Sequence, residues 1–193
     1  MLSDEELRSV WNAATKLDYP YRDIVHMLIL TGQRRSEVAA ARWCEFDLKQ
    51  RLWTISAERM KTDTAHVVPI TDSLMTLLSN LPRFAEGDHL FSNTFGERSV
   101  TGFSKCKSSI DRLVPLPHWT LHDLRRTMRT NLSALPIPDR VRELMIAHAQ
   151  PGLHQVYDQY SYLAEKTRGF EAWHARLNLI LRHETDNVVA LRK

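Results

Sequence analysis

The stretch HQVYDQYSYL places three phenols, Tyr157, Tyr160 and Tyr162, within six positions. A phenol becomes a nucleophile once it loses its proton. Its ordinary pKa of about 10 means that a neighbouring base or cation must help. Aromatic residues at this spacing more often pack a helix onto a core. On a helix, at about 100° per residue, Tyr157 and Tyr160 share a face and Tyr162 turns away, so local geometry leaves two candidates.

Basic residues gather at breaks in structure elsewhere. In TGQRRSEV, Gly32 lets the backbone bend and Arg34 opens a new helix. A guanidinium held there can fork onto two phosphate oxygens, or it can form an ordinary i,i+3 ion pair with Glu37. Lys61, in RMKTDTAHVVPI, is expected at the hairpin turn of the polar connection between two strand-like runs. A lysine on such a connection can reach a ligand and donate a proton, although most are simply solvated. In LHDLRRT, His122 and Arg125 are i,i+3 on one helix and can converge on one phosphate. His148 ends a helix in MIAHAQPG, where the helix dipole already favours a protonated imidazole.

These side chains need elements to hold them. LSDEELRSVWNAATKL opens with a capping box, Ser3 and Glu6, and continues with apolar residues at helical period. YPYRDIVHMLILTG reads as a mostly buried helix stopped by Gly32, and RRSEVAAARW restarts a helix. EFDLKQRLWTIS and HVVPI alternate β-branched and aromatic residues, which predicts a small antiparallel sheet with Pro69 at a strand end. Helices then return: TDSLMTLLSNL, capped by Thr71 or Asp72, SVTGFSKCKSSIDRLV, LHDLRRTMRTNLSAL, RVRELMIAH and AEKTRGFEAWHARLNLILR. LHQVYDQYSYL is a further short helical stretch after the QPG break. The fold class is mainly α with a small antiparallel β-sheet (α+β), one domain over residues 1–182 and a polar tail over 183–193.

A chain of 193 residues with 43% apolar and 25% charged side chains suits a single globular domain. Its apolar runs are too short to span a bilayer, and the acidic start is no secretory signal. A reduced, cytoplasmic location is expected, with Cys44 and Cys106 as free buried thiols. Nine histidines raise the question of a metal, but His118, His122, His148 and His154 show no HExxH pattern and there is no CxxC pair. Neither a metal nor a cofactor is expected. A net charge of +3 hints only mildly at a polyanionic partner.

Taken in order, TGxRxxE, a lysine at a β-turn, HxxR, a helix-terminal His and a Tyr nine residues later resemble the tyrosine recombinase or phage integrase family. The resemblance runs from about Leu2 to about Arg182 and is similar to the family's catalytic domain. It implies that Arg34 and Arg125 bind the scissile phosphate, that Lys61 is the general acid and that His122 is a base or proton relay. It further implies that His148 contacts a phosphate oxygen and that Glu37 buttresses the site. The spacing from His148 singles out Tyr157 as the nucleophile, which leaves Tyr160 and Tyr162 to packing or DNA contact. The implied reaction is cleavage and rejoining of double-stranded DNA through a 3′-phosphotyrosine, without metal, in a homo-tetramer on synapsed sites or as a monomeric isolated domain. The family's N-terminal core-binding domain is expected to be missing from this chain. A type IB topoisomerase-like relaxing enzyme and a truncated, non-catalytic DNA-binding remnant are the alternatives.

Overall fold

The computed structural model describes residues 1–61, 63–148 and 162–182. Tyr157, Tyr160 and the 183–193 tail lie outside them. Helix α1 (Asp4–Ala14) begins at the expected capping box: the Ser3 amide donates to Glu6 at 2.7 Å and the Glu6 amide to the Ser3 hydroxyl at 3.2 Å. Helix α2 (Tyr21–Thr31) is buried on most of its surface and stops at Gly32, where φ is 62°. A Cβ at Gly32 would strike Met128 Sδ and crowd Ile146, so packing and backbone both require glycine there.

Helix α3 (Arg35–Ala39) is shorter than RRSEVAAARW suggested. The chain leaves the helix because the Trp43 amide is drawn to the Asp88 carbonyl at 2.9 Å and Arg42 bridges His89. The sheet follows as β1 (Phe46–Asp47), β2 (Leu52–Ile55) and β3 (His66–Pro69), antiparallel in the order β1-β2-β3. Phe46 pairs with Trp53 and their rings stack 5.3 Å apart. Pro69 ends β3, where it withholds no ladder hydrogen bond from a further strand. The β2–β3 connection is wider than a tight turn: a single 3-10 turn at Ala57–Arg59 precedes Lys61.

The remaining helices are α4 (Asp72–Ser79), α5 (Phe103–Leu113), α6 (Leu121–Ser133), α7 (Asp139–Met145) and α8 (Leu163–Arg182). Thr71 stands at the N-cap of α4, but its hydroxyl meets His174 Nδ1 at 2.8 Å instead of capping the helix. Helix α2 lies at the centre, against α1, α3, α4, α6 and α8. Ile24, Leu28, Trp53, Leu74, Met128, Phe170 and Trp173 fill the core around it, each burial worth about 1.5–3 kcal/mol. Helix α8 also bonds to the end of α2: Trp173 Nε1 donates to the Ile29 carbonyl at 3.0 Å and His174 Nε2 to the Leu30 carbonyl at 2.9 Å.

Two expectations need correction. Cys106 is buried, and burial pushes its thiol up to about 11, but Cys44 is exposed because its 3-10 turn (Trp43–Glu45) buries only the neighbouring Trp43. Tyr162, expected at the end of a helical stretch, is not helical: its backbone is left-handed, with φ 51°, and α8 starts immediately afterwards. Its ring is partly buried, with the Arg140 guanidinium 5.0 Å above it, as a packing role requires. Among the described residues no helix is long and apolar enough to cross a membrane.

Candidate active site

Two turns bring the basic residues together. The first is Gly32–Arg34, between α2 and α3. Arg34 is the N-cap of α3, and Glu37 binds it twice: the Arg34 amide and its Nη1 each donate to a Glu37 oxygen at 2.7 Å. Glu37 is 1% exposed, so this carboxylate is spent on aiming the guanidinium. The sequence offered Glu37 both as an ordinary ion-pair partner of Arg34 and, by resemblance, as a buttress; here the pair is what orients Arg34.

The second turn ends α7. The Ala147 amide donates to Leu144 and the His148 amide to Glu143 at 3.0 Å, with Ala147 left-handed at φ 51°. This is a Schellman ending with alanine where glycine usually stands. It turns three successive carbonyls toward α2, α3 and α6. Met145 accepts from Gln33 Nε2 at 2.9 Å, Ile146 from Arg125 Nη2, and Ala147 from Arg34 Nη2 at 3.3 Å. Arg125 also donates to the Gly32 carbonyl at 2.8 Å, so it joins both turns.

Arg125 is 4% exposed. Burial and the nearby Arg34 charge pull its pKa down to about 10, which still leaves it charged at neutral pH. It sits on the second turn of α6, whose start is set by Thr120 and Asp123: the Thr120 amide and hydroxyl both donate to Asp123 at 2.8 Å. His122 is on the exposed side of the same helix start. Burial lowers its pKa, as do Arg125 and Arg126, against the opposing pull of Asp123. The imidazole is therefore neutral near pH 7 and has a lone pair available.

His148 is held by its Nδ1, 2.5 Å from Glu143. Glu143 also accepts from Arg129 Nε at 2.6 Å, which ties α6 to α7. His122, Arg125, Arg126, Arg129, Thr130, Ile146 and His148, with Met1, line a depression of about 360 Å³. The arrangement suits a phosphate: positive donors on the floor, a neutral imidazole and a second imidazole at the rim.

Lys61 stands apart. It is exposed and makes no hydrogen bond or ion pair among the described residues. Two residues before it, Arg59 Nη2 donates to the Glu37 carbonyl at 2.5 Å and Nη1 to Glu45, so the connection is tied to α3 at that point. The structure thus assembles Arg34, Glu37, Arg125, His122 and His148 and leaves Lys61 on an exposed connection tied to α3 two residues earlier, while Tyr157 lies outside the described residues. Glu143, Gln33 and the carbonyls of residues 145–147 escaped the sequence reading. Another neighbour, His66 on β3, is 7% exposed with Nε2 unpartnered. Burial, and then the charges of Lys166, Arg125 and Arg34, push its pKa down to about 3. Among the described residues no cluster of His, Cys, Asp or Glu forms that could hold a metal ion.

The sequence profile of the phage integrase family matches residues 1–163. The chain belongs to the phage integrase family. Prophage integrase IntF of Escherichia coli is 26% identical over 189 residues, which cover 95% of this chain and 39% of IntF. The chain thus spans well under half the length of such relatives. The catalytic domain of bacteriophage HP1 integrase superimposes with a TM-score of 0.57 at 18% identity, covering 85% of this chain and 96% of that domain. XerH site-specific recombinase, in a pre-cleavage complex with its difH substrate, gives a TM-score of 0.62 at 21% identity over 85% of this chain and 52% of its own. The mainly α fold with its small antiparallel sheet is the integrase catalytic-domain fold.

Proposed function

We propose that this integrase domain cleaves and rejoins double-stranded DNA in site-specific recombination or integration, through a 3′-phosphotyrosine at Tyr157. The observation that carries the proposal is the pair of arginines anchored side by side on the Ile146 and Ala147 carbonyls, with His122 and His148 flanking them. A phosphodiester gains negative charge as the tyrosine oxygen attacks. Arg34 and Arg125 meet that charge with donors already fixed in place, so little reorganisation is needed at the moment of reaction.

Neutral His122 takes or relays the phenol proton. His148, anchored through Nδ1, offers Nε2 to a phosphate oxygen. Lys61 protonates the departing 5′ oxygen. The new O–P bond keeps the energy of the one it replaced, so a second 5′ hydroxyl can attack it without ATP. The arginines supply the positive charge, and neither a metal nor a cofactor enters the scheme. Duplex DNA is the partner, and paired sites are brought together by a homo-tetramer. The chain itself is the catalytic part, residues 1–182, with 183–193 as a tail.

The test uses a pool of nicked duplexes in which cleavage releases a short strand and traps the enzyme. The wild-type chain should become covalently attached to DNA on a denaturing gel, and Tyr157→Phe should not. An adduct that persists in Tyr157→Phe would show that the nucleophile is another residue.

A further inference from the structure

Lys166 lies in the first turn of α8, on the face that also carries Gly169, Phe170, Trp173 and Leu177. That face calls for an apolar side chain, and Lys166 is only 6% exposed. Among the described residues no carboxylate pairs with it. Its ammonium donates to the Val67 carbonyl at 2.7 Å. Burial pulls its pKa down to about 8, a cost that a methionine or leucine would avoid.

The acceptor shows what the contact does. Val67 belongs to β3, the edge strand of the sheet, which α8 covers. The connection bearing Lys61 runs directly into β3. On the near side of Lys61 the chain is anchored by Arg59 to the Glu37 carbonyl; on the far side β3 is held along one edge by its ladder to β2, and the Val67–Lys166 bond anchors its outer edge. Lys61 rides between the two.

We propose that Lys166 is a positioning residue: by pinning β3 to the first turn of α8 it holds the β2–β3 connection where Lys61 can reach the departing 5′ oxygen. This rests on the reading of Lys61 as general acid. In that step the tyrosine oxygen forms its bond to phosphorus, its proton passing to His122. The P–O5′ bond breaks, and one proton moves from the Lys61 ammonium to the released oxygen. With the Val67 anchor gone, the connection wanders and protonation lags.

The experiment compares single-turnover cleavage of two nicked duplexes, selected for adduct formation with the wild-type chain. One has the natural 5′ oxygen at the scissile bond, the other a bridging sulfur. A thiol has a pKa of about 8.5, so the sulfur leaves unprotonated and needs no general acid. Lys166→Met should slow the oxygen substrate roughly 100-fold, as a small misplacement of a catalytic group does. It should cleave the sulfur substrate at the wild-type rate, as should Lys61→Ala. Lys166→Arg, which keeps a donor for Val67, should recover part of the oxygen rate. DNA affinity should be unchanged. The Tm at neutral pH should not fall in Lys166→Met, because a buried charge has gone; if it does fall, Lys166→Gln serves in its place. A Lys166→Met or Lys166→Gln protein that is slow on both substrates, or as fast as wild type on the oxygen substrate, overturns the proposal. If no duplex in the selection forms an adduct with the wild-type chain, the functional reading is overturned instead.

Discussion

The two halves of the site are built in opposite ways. Arg34 and Arg125 are wired into the fold: a buried carboxylate, a glycine carbonyl and two carbonyls of the α7 ending hold them. Lys61 is exposed and makes no hydrogen bond or ion pair among the described residues, and it rides on a surface connection held at Arg59, at the buried Met60 and at Val67. The tasks proposed for them differ in the same way. Charge stabilisation rewards donors that do not have to move, whereas proton delivery to a leaving group needs reach and the freedom to withdraw. A fold can afford a rigid pair of arginines only by giving up adaptability there, and it recovers that adaptability on a surface connection.

Breaking the wired half should have the largest effect. Arg125→Ala should cut single-turnover adduct formation by roughly a thousandfold, and it should also lower the Tm, since the Gly32 and Ile146 carbonyls lose their buried donor. Lys61→Ala tests the other half. It should slow cleavage by roughly 100-fold through loss of the acid and leave thermal unfolding unchanged, because no contact is removed. An equal fall in Tm for both variants would erase the contrast. Glu37→Gln sharpens it further: the side chain keeps its shape but loses the charge that aims Arg34, so adduct formation should drop by about tenfold, one unit of about 1.4 kcal/mol.

A further test reads stability in acid instead of rate. His66 titrates near 6.5 in an unfolded chain and at about 3 in the fold. As pH falls, the unfolded state takes up that proton first. Its contribution to stability is therefore complete above about 6.5 and is lost progressively toward 3. His66→Phe cannot titrate, so urea unfolding followed from pH 7 downward should show a shallower loss of stability than the wild type. The arginine side, which borders His66, should be the part that this mutation protects.

What the sequence made legible was whatever depends on near neighbours. The Ser3–Glu6 cap, the stop at Gly32, the Arg34–Glu37 pair and the His122–Arg125 face all follow from spacings of three or from a single residue type. The supports were hidden for physical reasons. A backbone carbonyl belongs to every residue, so nothing in the letters marks Met145, Ile146 and Ala147 as acceptors. Glu143 reaches His148 across five positions, a separation that only the left-handed Ala147 closes up. Thr71 and His174 meet across 103 positions. Lys166 did leave a sign: a lysine stood on the apolar face of a helix whose other members are Phe170, Trp173 and Leu177, and such an exception asks for an acceptor.

The carbonyl seats at the end of α7 have a consequence for how this protein can drift through generations. Side chains at residues 145–147 can be exchanged for others of similar volume without touching what holds the arginines, because the acceptors belong to the peptide chain. A one-residue deletion there, or a proline at residue 147 where φ is positive, would unseat Arg34 and Arg125 together.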